Sequence, residues 1–211
     1  MSEIIIDHLC KKIKGNTILD DICFTFHNSM IYGLYGRNGS GKTMLLRAIA
    51  GLIFPTEGQI SIDQKVLHKE ISFPPSVGVI IENTNLLPQY DGFTNLKILS
   101  KFKKVATDDD IINAIKAVGL DPHSKAKVKT YSLGMRQRLA IAQAIFEKPE
   151  LLLLDEPTNA LDEESIEIIR ELLLKFKENG TTIIIASHNK DDLKILSDQT
   201  LHMIDGRLVE K

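Results

Sequence analysis

A lysine and a hydroxyl set behind closely spaced glycines, and an acid pair at the end of an apolar run, are the groups in this sequence best suited to chemistry. In Gly36-Arg37-Asn38-Gly39-Ser40-Gly41-Lys42-Thr43 the spacing is G-x-x-x-x-G-K-[ST] at every fixed position. Glycines without a Cβ let the backbone turn with its N–H groups aimed inward, where an anion can approach. Lys42 can then reach the outer oxygens of a triphosphate, and Thr43 offers a hydroxyl to Mg2+. A helix starting here sets its positive end beneath the phosphates. Further along, Leu151-Leu152-Leu153-Leu154-Asp155-Glu156 is an apolar strand ending in two carboxylates, the acidic partner that such a loop requires. Asp155 is suited to holding Mg2+, largely through its water, and Glu156 to polarising a water in line with the terminal phosphate.

For these groups to meet, a strand must deliver the loop and a helix must leave it. Met30 to Tyr35 reads as a short buried strand, and Met44 to Ala50 as a helix stopped by Gly51. Ahead of the loop, strand patterns run from Glu3 to Leu9 and from Thr17 to Phe26, with a turn at Lys14-Gly15-Asn16. With a further strand pattern from Gly58 to Ile62, they predict a small antiparallel sheet beside the nucleotide. Val77 to Ile81 is a β-rich apolar run assigned to a central parallel sheet, and its end delivers Glu82 above that sheet. From Asn83 to Lys148 the character turns helical, with patterns from Asn95 to Phe102 and from Asp108 to Val118, where Gly119 is the stop. Strand and helix patterns then alternate again: Leu151 to Leu154, Glu164 to Lys177, Thr181 to Ala186.

The expected fold is α/β, a P-loop NTPase core with a mainly parallel central sheet, an N-terminal antiparallel β subdomain and an inserted helical subdomain. One nucleotide-binding domain is expected to span 1–211. The β subdomain takes about 1–30 and 56–75, the core 31–55, 76–82 and 149–211, and the helical part 83–148.

Composition narrows the function classes. The 211 residues carry a formal charge of −2, which gives no general attraction to nucleic acid or anionic lipid, so no nucleic-acid partner is expected. Lys125-Ala126-Lys127-Val128-Lys129 reads as a solvated face. No apolar run approaches the ~18 residues of a membrane span, and Met1-Ser2-Glu3 opens without a basic stretch or an apolar segment of a secretion signal. Cys10 and Cys23 have no metal-ligand spacing and read as buried or half-buried free thiols of a reducing cytoplasm.

Tyr131-Ser132-Leu133-Gly134-Met135-Arg136-Gln137-Arg138 begins a helix, with Ser132 as N-cap and Met135, Leu139, Ala142 and Ile145/Phe146 at helical spacing. Taken alone it is a capped amphipathic helix, whose N-terminus could also offer a second phosphate-binding surface. In the company of the glycine loop, Asp155-Glu156-Pro157-Thr158, Ala160-Leu161-Asp162 and Ile185-Ala186-Ser187-His188, the sequence resembles the ATP-binding subunits of ABC transporters nearly end to end. Within that family it is most similar to bacterial subunits of bacitracin- and lantibiotic-type export and resistance systems.

The resemblance implies ATP and Mg2+ as cofactors, with Thr43, Asp155 and Glu82 at the metal and Glu156 and His188 as catalytic groups. Two copies, or this chain and a similar subunit, would sandwich two ATP molecules. Each ATP would lie between Gly36 to Thr43 of one copy and Ser132, Leu133, Gly134 and Met135 of the other, with Asp162 coupling the sites. Three positions depart from the family pattern. Leu133 replaces the first glycine of the signature. Ile13 stands where relatives place an aromatic residue against adenine, and Glu82 where most place glutamine. The resemblance also implies a separate membrane permease, docked in a groove between Glu82 and Lys104, with this subunit cytoplasmic and peripheral on the inner face of the plasma membrane. Export of a peptide antibiotic or other amphipathic compound is the expected task. Superfamily ATPases of DNA maintenance share these motifs, but they need a long coiled coil between Lys42 and Asp155, where only 112 residues intervene. Translation factors of the superfamily carry two cassettes in one chain.

Overall fold

The computed structural model describes residues 3–82 and 85–209; Met1, Ser2, Asn83, Thr84, Glu210 and Lys211 lie outside them, as does the expected start of the helical insertion at Asn83. The N-terminal strands β1 (Ile4–Ile13) and β2 (Asn16–Phe26) form a hairpin that is joined by β4 (Glu57–Ile62) and β5 (Lys65–Val66) into an antiparallel sheet of order β2-β1-β4-β5. The central sheet contains β3 (Ile31–Tyr35), β6 (Val77–Ile80), β7 (Leu151–Asp155), β8 (Thr182–Ser187), β9 (Gln199–Ile204) and β10 (Arg207–Val209), in the order β10-β9-β3-β8-β7-β6. Its strands pair in parallel except for the β9–β10 hairpin at the edge. Helices α1 (Lys42–Ile49), α2 (Gly92–Lys103), α3 (Asp108–Ala117), α4 (Leu133–Ile145), α5 (Glu163–Glu178) and α6 (Lys190–Leu196) complete the chain.

The near-continuous apolar runs of β7 and β8 are explained by burial of the central sheet on both faces. Leu151, Leu153, Ile184 and Ala186 turn to the side shared with α1 and the antiparallel sheet, while Leu152, Leu154, Ile183 and Ile185 turn to the side covered by α3, α4 and α5. Strand period two thus divides one apolar run between two cores. On the second side α4 lies so close to β6 that a Cβ on Gly78 would stand 1.9 Å from the Ala144 carbonyl oxygen. That contact sets the height of α4, and with it the position of Ser132 at its start.

Several boundaries differ from expectation for physical reasons. The first strand continues past Leu9 to Ile13, because Lys11 and Lys12, despite their charge, and Ile13 keep their partners on β2. Helix α2 begins at Gly92 rather than Asn95, since Asp91 caps it by accepting the Thr94 N–H. Helix α1 begins at Lys42, directly after Gly41, whose φ of 109° no side-chain-bearing residue adopts comfortably. The short α6 and the β9–β10 hairpin are unexpected from the sequence, and the hairpin extends the central sheet beyond β3. The lysines of 125–129 are exposed and Val128 is buried, whereas Cys10 is half-buried and Cys23, expected to be at least half-buried, is exposed.

Gly78→Ala is expected to lower the unfolding free energy by about 1–3 kcal/mol, the usual cost of overpacking, because the blocking atom is backbone and cannot rotate away. Urea denaturation of the two proteins measures it.

Candidate functional site

The site lies at the carboxyl ends of β3, β8 and β7, where the parallel register places Tyr35 beside Ser187 and Asp155 beside Ala186. Beyond Tyr35 the chain enters the glycine loop. A Cβ at Gly36 would stand 2.5 Å from both the Met203 carbonyl oxygen and Ser40 Oγ, so the loop can pass β9 only as glycine. The loop is pinned there by the Ser40 N–H to Arg37 O and the Gly206 N–H to Ser40 O, at 3.1 and 3.0 Å. Lys42, 6% exposed, donates through Nζ to the carbonyl oxygens of Gly36 at 2.7 Å and Arg37 at 3.2 Å. A cleft of about 470 Å³ opens over the loop, lined by Ile18, Asn38 to Met44, Asp155 and Glu156.

Thr43 Oγ1 donates to Asp155 Oδ2 at 2.6 Å across 112 positions of sequence. A hydroxyl and a carboxylate held together at the loop form the hard-oxygen donor set that Mg2+ favours. Burial pushes the Asp155 carboxyl above the ordinary range; the Thr43 hydrogen bond opposes the rise, Glu156 adds to it, Lys42 opposes it and Glu82 adds to it.

Glu156 follows in a left-handed conformation, φ 50°, with its N–H on the Ala186 carbonyl at 2.8 Å. This turn carries its side chain away from that of Asp155 and under the end of β8. There Oε2 accepts Ser187 Oγ–H at 3.1 Å, and Oε1 accepts the His188 N–H at 3.0 Å, with the His188 ring Nδ1 2.7 Å away. Gln137 of α4 donates through Nε2 to the carbonyl oxygens of Glu156 and Pro157, at 3.3 and 3.1 Å, tying that helix to the turn.

Gly36 to Thr43, Asp155, Glu156 and His188 are therefore brought together. Other expected residues lie elsewhere. Glu82 lines a neighbouring cleft with Leu133, Gln137, Asp155 and Glu156, but its exposed carboxylate is paired with Arg47 Nη2 at 2.8 Å. Ile13 ends β1 at 41% exposure, and Ile18, on the partner strand, is the aliphatic residue lining the phosphate cleft. Ser132 caps α4 by accepting the Met135 N–H at 3.1 Å, and neither it, Gly134 nor Met135 lines the cleft over the chain's own loop. Leu133 is 63% exposed. Asp162 caps α5 by accepting the Ser165 N–H, and the Ser165 hydroxyl, with that N–H, holds its carboxyl below the ordinary range. Ser187, Gln137, Arg47 and Ile18 were not singled out from sequence. Only Ser187 carried a signal, as the hydroxyl next to His188 at a strand end.

A glycine loop between β3 and α1, with an acid pair at the end of parallel strand β7, one strand removed across β8, defines a P-loop nucleotide-binding cassette. The family profile described as "ABC transporter" matches residues 19–159. The chain is 61% identical over 201 residues to the uncharacterized ABC transporter ATP-binding protein YybJ of Bacillus subtilis (strain 168), covering 95% of this chain and 92% of that one. It is 38% identical to the bacitracin transport ATP-binding protein BcrA of Enterococcus faecalis, over 97% of this chain and 67% of BcrA. To the lantibiotic transport ATP-binding protein SrtF of Streptococcus pyogenes it is 33% identical, over 97% and 88%. Its fold matches the ATP-binding cassette MJ0796, described as dimeric in a post-hydrolysis state bound to ADP and Pi, with a TM-score of 0.87 at 24% identity, covering 97% of this chain and 96% of that one. The chain belongs to the ABC transporter family as an ATP-binding subunit, and it is an ATPase. Among the described residues no helix is long and apolar enough to cross a membrane.

Because burial penalises ionised Asp155, the residue subtracts from folding stability above the unfolded carboxyl pKa of about 3.9, and the penalty vanishes once both states are protonated at lower pH. Asp155→Asn is accordingly expected to raise the melting temperature of the nucleotide-free protein at neutral pH. The gap from the wild type should close below about pH 4. Thermal melts across pH check it, and a lower melting temperature for the variant at neutral pH would contradict it.

Proposed function

We propose that the cleft binds MgATP and hydrolyses it to power a separate membrane permease. The carrying observation is the convergence of Thr43 Oγ1 and Asp155 at 2.6 Å beside a Glu156 carboxylate held by Ser187 and His188. In this reading the loop N–H groups and Lys42 hold the phosphates, while Thr43 and Asp155 hold Mg2+, which would neutralise charge on the phosphate oxygens. Glu156 orients and polarises the attacking water, and the Ser187 and His188 hydrogen bonds fix its carboxylate plane for that task. His188 contacts the terminal phosphate once its ring leaves Glu156. Glu82 supplies a further oxygen at the metal by leaving Arg47.

The second half of the site comes from another copy or a similar subunit. Ser132, Leu133, Gly134 and Met135 sit at the exposed start of α4, where helix N–H groups suit a phosphate, and Asp162 couples the two sites. The permease docks in the groove between Glu82 and Lys104, which makes the subunit cytoplasmic and peripheral on the inner face of the plasma membrane. The task in this reading is export of a peptide antibiotic or other amphipathic compound, and the names of BcrA and SrtF support transport of that class of cargo. Cargo selection belongs to the permease.

Glu156→Gln is expected to keep MgATP binding and slow hydrolysis by at least ~10²-fold, the scale of a lost positioned catalytic group. With turnover blocked, MgATP should accumulate a dimer in light scattering, and adding Ser132→Arg should abolish it. Near-wild-type hydrolysis by Glu156→Gln would remove the assigned role, and a dimer that survives Ser132→Arg would remove the sandwich.

Base selectivity tests the other end of the nucleotide. Ile13 and Ile18 offer no π-face to adenine, so ATP and GTP should bind within roughly tenfold of each other, a difference below ~1.4 kcal/mol. A hundredfold preference for ATP in equilibrium titration would show that another residue reads the base.

A further inference from the structure

The antiparallel sheet carries a second cluster of chemically capable side chains, away from the phosphate cleft. Between the pairs Ile6↔Phe24 and Leu9↔Ile22, two residues of β1, Asp7 and His8, stand opposite one residue of β2, Cys23. This is a β-bulge, with His8 in a left-handed conformation at φ 48°. A regular strand would send neighbouring side chains to opposite faces, whereas a bulge re-aims one of them. Here Asp7 and His8 are both exposed while Ile6 and Leu9 on either side are buried. Strand β4 makes room for the bulge at Gly58, where a Cβ would stand 2.1 and 2.4 Å from the carbonyl oxygens of His8 and Asp7.

We propose that Asp7, His8 and Cys23 form a surface site for a divalent transition-metal ion of the zinc class, with His8 oriented by Asp21. One ligand atom from each of the three residues lies within 4.8 Å of the others. Tetrahedral coordination at metal–ligand distances of about 2.0–2.3 Å needs separations of about 3.3–3.8 Å, which rotation of these exposed side chains can reach. His8 Nδ1 is 2.7 Å from Asp21 Oδ1. Donation of Nδ1–H to that carboxylate leaves the Nε2 lone pair for the metal, the second-layer arrangement that fixes tautomer and ring orientation in metal-bound histidines. The Cys23 sulfur is anchored by the His8 N–H at 3.3 Å, so the bulge that brings His8 to the site also positions the thiol.

The donor set selects the ion. Sulfur, imidazole and carboxylate together favour Zn2+ and its spectroscopic substitute Co2+ over Mg2+, which prefers the oxygen donors of the phosphate cleft. Three protein ligands leave a fourth position for water. On binding, the Cys23 thiol gives its proton to solvent and a metal–thiolate bond forms, with no change of oxidation state. The ion would clip β1 to β2 across the bulge and thereby stabilise the folded hairpin.

The test is a Co2+ titration of the nucleotide-free chain with excess Mg2+ present to occupy the oxygen-donor cleft. A thiolate-to-cobalt charge-transfer band should rise to one equivalent per chain and be displaced by Zn2+, and Zn2+ should raise the melting temperature. Cys23→Ser should remove the band, His8→Ala should weaken Co2+ binding at least tenfold, and Asp21→Asn should weaken it by about 10–100-fold while keeping the band. Cys10→Ser should keep both the band and the affinity. Absence of a saturable band in the wild type overturns the proposal without reference to any variant; so does a band that survives Cys23→Ser or disappears in Cys10→Ser.

Discussion

The register of three parallel strands, β3, β8 and β7, is the constraint on which the phosphate cleft depends. Tyr35 is paired with Ser187 and Asp155 with Ala186, so the loop after β3, the acids after β7 and the histidine after β8 emerge at one edge. A slip of one residue would invert every side chain of the slipped strand. Leu151 and Leu153 would then exchange cores with Leu152 and Leu154, and Asp155 would turn away from Thr43. Burial of both sheet faces makes such a slip prohibitive, so the packing that stabilises the fold also fixes the Thr43–Asp155 distance.

Against that rigid edge, the acids themselves oppose folding. Asp155 is penalised by burial, and Glu156 sits in a left-handed conformation that residues with a Cβ adopt at some cost. Both features put oxygen atoms where an ordinary strand end would not. The turn at Glu156 swings its carboxylate beneath β8, where three donors of Ser187 and His188 are within reach, while Asp155 continues the strand direction towards α1. Two adjacent carboxylates thus acquire different surroundings from a single backbone dihedral, which allows them different chemical tasks.

The glycine loop was legible in the sequence because all its requirements are local: glycine freedom, a lysine and a hydroxyl within eight consecutive positions. The parallel core was legible from β-rich apolar runs, and the cap at Ser132 from its spacing to an apolar helix face. What depends on pairing between distant segments was not. The hairpin register that turns Ile18 into the phosphate cleft cannot be read along the chain. The pairing of the Glu82 carboxylate with Arg47, one helix turn past Thr43, carries no signal along the chain. The β9–β10 hairpin carried a visible cue, an Asp205-Gly206 turn between two short alternating runs. The bulge at Asp7 and His8 carried none, since a bulge exists only relative to the strand it faces.

The division of groups around the cleft also explains why one copy of the chain is half a site in the proposed mechanism. The cleft over the loop is walled by Ile18, the loop, Met44 and the two acids, whereas Ser132 and Gly134 stand at the start of α4 outside it. Gln137 ties α4 to the Glu156–Pro157 turn, and a Cβ on Gly134 would stand 2.9 Å from the Ala160 carbonyl oxygen. The helix start therefore cannot swing back over its own loop without breaking the contacts that position Glu156. In the proposed mechanism its N–H groups and the Ser132 hydroxyl proton would donate to an anion presented from outside, the terminal phosphate held by another molecule's loop. Because Gln137 ties α4 to the turn carrying Glu156, engagement of a partner's phosphate at Ser132 would, in the proposed mechanism, be mechanically linked to the placement of the Glu156 carboxylate in the chain's own cleft.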